Sequence, residues 1–271
     1  MIQQSCFDGL FYPENKQELQ KLILNLIETV PPRKEENIKG IIAPHAGYQY
    51  SGNIAAESLY QTHHKTYKTA IIIGPSHRFV FSGTSSLNKQ IYQTPLGNVM
   101  INQKLLQTIR HHDNKEAIVY ELGAYEKEHS IEVILPFLQV LHPNITIIPL
   151  VVGRYSLDHI ETVANILVKT CDERETLVIT STDFSHFFSA EKAREKDLKA
   201  VEIIKKQAIG ELIEEQKKQT IQLCGLGPLL IMLTLFKKWK IKDAEHLSYC
   251  HSGMISGDLT SVVGYNSFRF F

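Results

Sequence analysis

The chain has 271 residues, 43% hydrophobic and 21% charged, ordinary values for a soluble globular protein with ample length for a core. Lys+Arg and Asp+Glu both total 29, and the resulting zero net charge argues against a nucleic-acid or membrane-surface partner. The opening "MIQQSCFDGLFYPENK" has no basic segment followed by an apolar one. The longest apolar run, "LLIMLTLF" (229–236), is too short to cross a bilayer, so a cytoplasmic chain is expected.

In chain order, "NKQELQKLILNLIETV" (15–30) is amphipathic, with Asn15 as its N-cap and Pro31-Pro32 as its stop. "NIKGIIAPHAG" (37–47) is a strand that breaks at proline and delivers His45. A helix over 53–61 follows. "KTAIIIGPSHR" (68–78) repeats the design and delivers His77. A helix is expected over 102–112, then an apolar run at 117–123. "EKEHSIEVILPFLQ" (126–139) presents His129 and opens a helix over 130–141, capped by Ser130 and bent or divided at Pro136. Glu132 lies one turn from His129 and faces either the same cleft or solvent. "ITIIPLVVG" (145–153) is a strand, and Ser156 caps a helix over 156–170. "ETLVITSTDFSH" (175–186) is a third strand of the same design, ending at Asp183 and His186; Asp183 also suits a helix N-cap. The charged stretch 190–219 is one or two solvent-facing helices divided near Gly210. "QLCGLGPLL" (222–230) places Cys224 before a buried helix over 225–238. Apolar runs at 244–250 and 260–270 complete the pattern.

Continuous Ile/Val runs are the mark of strands buried on both faces. Alternating with helices, they indicate one α/β domain over 1–271, with a central, mostly parallel or mixed sheet flanked by helices. Ligands of such sheets bind beyond the carboxyl ends of the strands. If the strands run parallel, His45, His77, Asp183 and His186 share one rim. Cys6, Cys171, Cys224 and Cys250 form no CxxC pair, so neither a structural zinc motif nor a disulfide framework is indicated. The exception to an inert role is Cys224, where a helix N-terminus favours the thiolate that binds metal.

Together "DGLFYP", "APHAGYQYSG", "GPSH", "EHSIEVILPFLQ", "STDFSHF" and "CGLGPLL" resemble the Memo family, whose bacterial and archaeal members are labelled AmmeMemoRadiSam system protein B. The resemblance runs from about residue 6 to about residue 265. It implies the fold of the class III non-haem iron extradiol dioxygenases, in which two histidines and a glutamate hold iron. Carried onto this sequence, it makes His45 and His77 metal ligands and puts Cys224 where the dioxygenases have glutamate. It makes Asp183, His186 and His129 the remaining site residues, with His186 as acid/base. A thiolate in place of carboxylate moves preference from iron(II) toward copper(I) or zinc. One ion is therefore expected, iron or copper, with zinc as a further candidate.

Two functions fit: a metal-dependent, dioxygenase-like redox enzyme of unknown substrate, and a peptide- or ligand-binding module on the same scaffold. In the second, Arg78 would supply charge for an anion. The resemblance also suggests a radical-SAM protein and an AMMECR-type protein as partners. This chain has no CxxxCxxC motif of its own.

Overall fold

The unbroken isoleucine runs form the middle of one mixed sheet. In the computed structural model, which describes all 271 residues, the strands are β1 (Ile2–Gln4), β2 (Gly40–Ala43), β3 (Thr69–Pro75), β4 (Thr84–Ser86), β5 (Ile91–Thr94), β6 (Gly97–Ile101), β7 (Ile118–Val119), β8 (Thr146–Val152), β9 (Thr176–Ser181), β10 (His186–Phe188), β11 (Ala244–His251) and β12 (Val262–Phe270). The helices are α1 (Lys16–Glu28), α2 (Tyr48–Tyr60), α3 (Gln103–His112), α4 (Leu135–Leu141), α5 (Leu157–Thr170), α6 (Ala190–Lys205), α7 (Ile209–Lys217), α8 (Leu226–Trp239) and α9 (Gly253–Ser256). The sheet order is β1-β5-β6-β8-β3-β9-β2-β12-β10, with β11 on β12, β4 on β8 and β7 on β4. From β6 to β2 every neighbour is parallel, and β12 runs antiparallel to β2.

Every residue of β2, β3 and β9 is buried, as strands sandwiched between helical layers require. One helical group, α3, α5 and α8, packs through α8 onto β3, β8 and β9; another, α1, α2 and α4, packs through α2 onto β2, β11 and β12. Helix α8 is apolar nearly all round, and its first eleven residues are buried. Register decides what happens at the rim. Ala43 pairs with Ser181, and Pro75 with Val152, so the carboxyl ends of β2, β9, β3 and β8 finish level.

Capping follows the side chains. Asn15 Oδ1 accepts from the amides of Gln17 and Glu18, and Ser156 Oγ accepts from that of His159. Several expectations differ. The helix expected over 53–61 begins at Tyr48, because Gly47 ends the rim loop and acts as its N-cap. Ser130 does not cap a helix; its hydroxyl donates to the Pro75 carbonyl. The 130–141 segment starts as a 3-10 turn, Glu132–Ile134, and turns α-helical at Leu135-Pro136, where a proline lacks only an amide that has no partner anyway. The 117–123 run supplies a two-residue strand and then a 3-10 turn. The 190–219 helices part at Gln207, whose φ is +51°, and Gly210 lies inside α7. No helix is long and apolar enough to cross a membrane.

Candidate metal centre

Pro44 and Gly47 bracket the loop that leaves β2, and His45 sits at its apex, 1% exposed. Three contacts hold it. The His45 amide donates to Asp183 Oδ1 at 2.9 Å, and the ring Nδ1 lies 2.8 Å from Ser181 Oγ. The third neighbour of the ring, at Nε2, is Cys224 Sγ at 3.4 Å. With Nδ1 occupied, Nε2 is the atom left to bind something.

His77 is held in the same manner from β3. Its amide donates to Glu128 Oε2 at 2.6 Å, and its Nδ1 lies 3.0 Å from Glu128 Oε1. Glu128 also accepts from the Ser130 amide at 2.8 Å. Burial works to raise the Glu128 carboxyl, but the His77 ring and the His77 and Ser130 amides outweigh it and bring it down to about 2. Both histidines therefore carry a partner on Nδ1, the arrangement that orients a metal-binding imidazole, and His45 Nε2 already faces the Cys224 sulfur.

Cys224 lies in the loop before α8. The Asp183 amide points at its sulfur at 3.2 Å, and the Cys224 amide donates to the Asp183 carbonyl at 3.3 Å. Gly225 lets this loop lie against β9, since a Cβ there would come within 2.5 Å of Thr182 Cβ. The thiol does not behave as its helix-terminal position led us to expect. Burial, then the neighbouring Asp183 carboxylate, pushes it up to about 12, and α8 begins only at Leu226. The dipole acts over about one turn and is overridden by desolvation here. The sulfur is thus a neutral thiol until a cation displaces its proton.

The donor atoms of His45, His77 and Cys224 all lie within 4.8 Å of one another. Bond lengths of about 2.1 Å to nitrogen and about 2.3 Å to sulfur would put ligand atoms roughly 3.6 Å apart around a tetrahedral ion. The measured Nε2–Sγ separation of 3.4 Å fits that requirement.

His129 joins the centre as a wall. Its ring stacks on that of His77 with centroids 4.6 Å apart and meets His45 at 5.1 Å. Its Nδ1 is buried without a hydrogen-bond partner. Burial first, then His45 and His77, holds it neutral, down to about 3. Phe7 and Phe11 pack against its ring at 5.4 and 4.8 Å. Asp183 spends Oδ1 on the His45 amide, and no helix follows it, so it is not an N-cap. Burial raises its carboxyl against the opposing His45 amide and His186. His186 lies on β10, with its amide donating to Gln222 and its ring within electrostatic reach of His45 and Asp183.

Glu132 turns away from the cleft. Its carboxylate accepts from the amides of Cys6 and Phe7 and from the Tyr12 hydroxyl, at 2.9, 2.8 and 2.6 Å. That clamps the N-terminal strap, residues 6–12, beside the histidines. Tyr48 likewise points into the core, donating to the Val133 carbonyl. Sequence reading missed Glu128 and Ser181 as partners of the histidines. The only available signal for Glu128 was a carboxylate adjoining His129 in "EKEHS".

A mixed α/β sheet whose parallel carboxyl rim gathers two histidines and a cysteine defines a class of protein with a clustered donor set at the strand ends. The sequence profile of the Memo-like proteins matches residues 4–269, and the chain belongs to that family. It is 34% identical to a MEMO1 family protein of Methanobrevibacter smithii over 280 residues, covering 98% of this chain and 99% of the relative. Identity is 33% to one of Methanopyrus kandleri, covering 97% and 96% of the two chains, and 30% to one of Nitrosopumilus maritimus, over the full length of both.

Proposed function

We propose that this Memo-like protein holds one transition-metal ion through His45 Nε2, His77 Nε2 and Cys224 Sγ, and carries out redox chemistry on a small molecule bound beside it. The observation behind this reading is the meeting of those three donors, from loops far apart in sequence, with both Nδ1 atoms already spoken for. Two imidazoles and a thiolate suit iron or copper, with zinc as a competitor. Such an ion would supply Lewis acidity and, for iron or copper, electron transfer.

The protein's own groups do the rest. Ser181 orients the His45 ring, Glu128 as an acceptor fixes the His77 tautomer, and the Asp183 amide donates to the sulfur and steadies the negative charge it would carry. His129, held neutral by burial and stacked on the His77 ring, walls the pocket on that side. His186, across the site near Asp183, is the group able to move a proton. Phe7 and Phe11 shield the His129 side from water.

Metal analysis on anaerobically purified protein tests this. Close to one ion per chain is expected in wild type. His45→Ala and Cys224→Ser should each reduce loading at least tenfold while the apo proteins keep their helical circular dichroism. Metal at background in all three proteins would leave a binding module without an ion.

A further inference from the structure

Beside Cys224 opens a cleft of 660 Å³ with an unusual wall. Phe79, Phe81 and Tyr155 line it, with Leu226 and Pro228 from the start of α8. Each aromatic ring is seated on a glycine. A Cβ on Gly123 would strike the Phe79 ring, one on Gly227 the Tyr155 ring, and one on Gly153 the Phe81 carbonyl, with the Phe81 ring 3.0 Å away. These rings are therefore set in place by the backbone, not loosely draped over a surface. Phe79, Val80 and Tyr155 are 38%, 73% and 38% exposed, so much of this apolar wall faces water.

The polar side chains of the cleft are mostly spent. Ser76 Oγ donates to the Phe79 carbonyl. The Gln216 amide bonds both the amide and the carbonyl of Leu223. Arg154 differs. Its backbone is pinned, with the amide on the Phe81 carbonyl and the carbonyl accepting from Gly83, but its guanidinium makes neither a hydrogen bond nor an ion pair. It is the one charged side chain lining the cleft. Arg154 and Tyr155 also line a second, polar cavity of 530 Å³, with Lys115, Glu116, Asp158 and His159, where Lys115 pairs with Asp158. The two spaces meet at the arginine.

We infer that the cleft binds an elongated organic anion, with its apolar body against Phe79, Phe81, Tyr155 and Leu226, its apolar end toward Cys224, and its acidic group on Arg154. Five donors in a planar fork suit a carboxylate or sulfonate, and an unpaired guanidinium beside an apolar wall selects for an anion carrying apolar surface. The space beyond Arg154, lined by Glu116 and Asp158, has room only for an extension that is not itself anionic. This deepens the metal reading by naming the class of molecule presented to the centre; the binding itself does not depend on the ion.

The test uses two dyes of one skeleton on chelator-treated full-length protein: 1-anilinonaphthalene-8-sulfonate and its neutral analogue N-phenyl-1-naphthylamine. Fluorescence titration should show Arg154→Gln weakening the sulfonate about tenfold or more, the loss of one charge-assisted contact, with the neutral dye unchanged. Val80→Asp, at an exposed wall position that tolerates substitution, should weaken both dyes. Lys192→Gln, an exposed cation on α6, should alter neither. Equal sulfonate affinity in wild type and Arg154→Gln overturns the inference, as does insensitivity of both dyes to Val80→Asp. Metal analysis is read separately: a protein that takes no ion yet discriminates the dyes loses the proposed chemistry and keeps this cleft.

Discussion

Glu128 is buried and takes three N–H groups, two of them from His77. A carboxylate held at about 2 is ionised throughout the physiological range, so it both fixes the His77 tautomer and makes that ring more electron-rich. An amide of the same shape would turn a donor toward one of those N–H groups. Glu128→Gln is therefore expected to weaken metal binding by about 10- to 100-fold, the usual cost of losing such a partner. Competition with a chromogenic chelator measures it. Affinity equal to wild type would mean that the His77 ring is oriented by packing on His129 alone. Asp183 acts through its backbone as much as its side chain: it holds His45 with Oδ1 and Cys224 with both N–H and C=O. One residue thus sets the distance between two of the three donors.

At the scale of elements, the centre depends on how closely α8 approaches β9. Gly225 lies against Thr182 and the Ser181 carbonyl, so the loop bearing Cys224 sits as close to β9 as a backbone can. Gly225→Ala should cost about 1–3 kcal/mol of stability through overpacking, read as a lower thermal midpoint. It should also reduce metal affinity, since the sulfur is displaced together with the loop. Normal affinity in a destabilised variant would show that the Cys224 loop and the helix are uncoupled. The elements that carry this geometry were legible in the sequence where burial is complete. The runs "KGIIAP", "AIIIGP" and "LVITS" read as central strands because both faces are covered, and their ends delivered His45, His77 and Asp183 to one rim. Elements with weak local signal were not legible. β1 is "IQQ", β4 "TSS" and β10 "HFF", three residues each, held by pairing with distant strands and not by their own periodicity. The carboxylate before His129 in "EKEHS" gave no sign of its partner; in the fold Lys127 takes φ +57°, and Glu128 reaches a histidine 51 residues away. Arg154 and the aromatic wall escaped for the same reason: sequence spacing does not show which loops share a cleft.

For the whole molecule, buried titratable groups outside the donor set also shape how stability changes with pH. Asp197, on α6, lies against Gly264 of β12 and accepts the Ser185 amide at 3.0 Å with Oδ1, while Oδ2 has no donor. Burial lifts its carboxyl from an ordinary 3.8 to about 7, opposed by Ser185, then Tyr249, then Lys196. Arg194 and His251, near Tyr249, also belong to this region. With the folded value raised, the stabilising contribution is complete below about 3.8 and is lost as pH rises to about 7. His142, hydrogen-bonded to Thr62 and lowered by burial to about 4, works the other way and costs stability as pH falls from 6.5 to about 4. Asp197→Asn copies the protonated side chain and removes the first effect alone. Urea unfolding of apo protein from pH 5 to pH 8 is expected to show the variant gaining on wild type with each step up to pH 7, then a constant advantage of at most about 4 kcal/mol. Curves that run parallel over the whole range would mean that Asp197 is already ionised in the fold, with its charge compensated by Lys196.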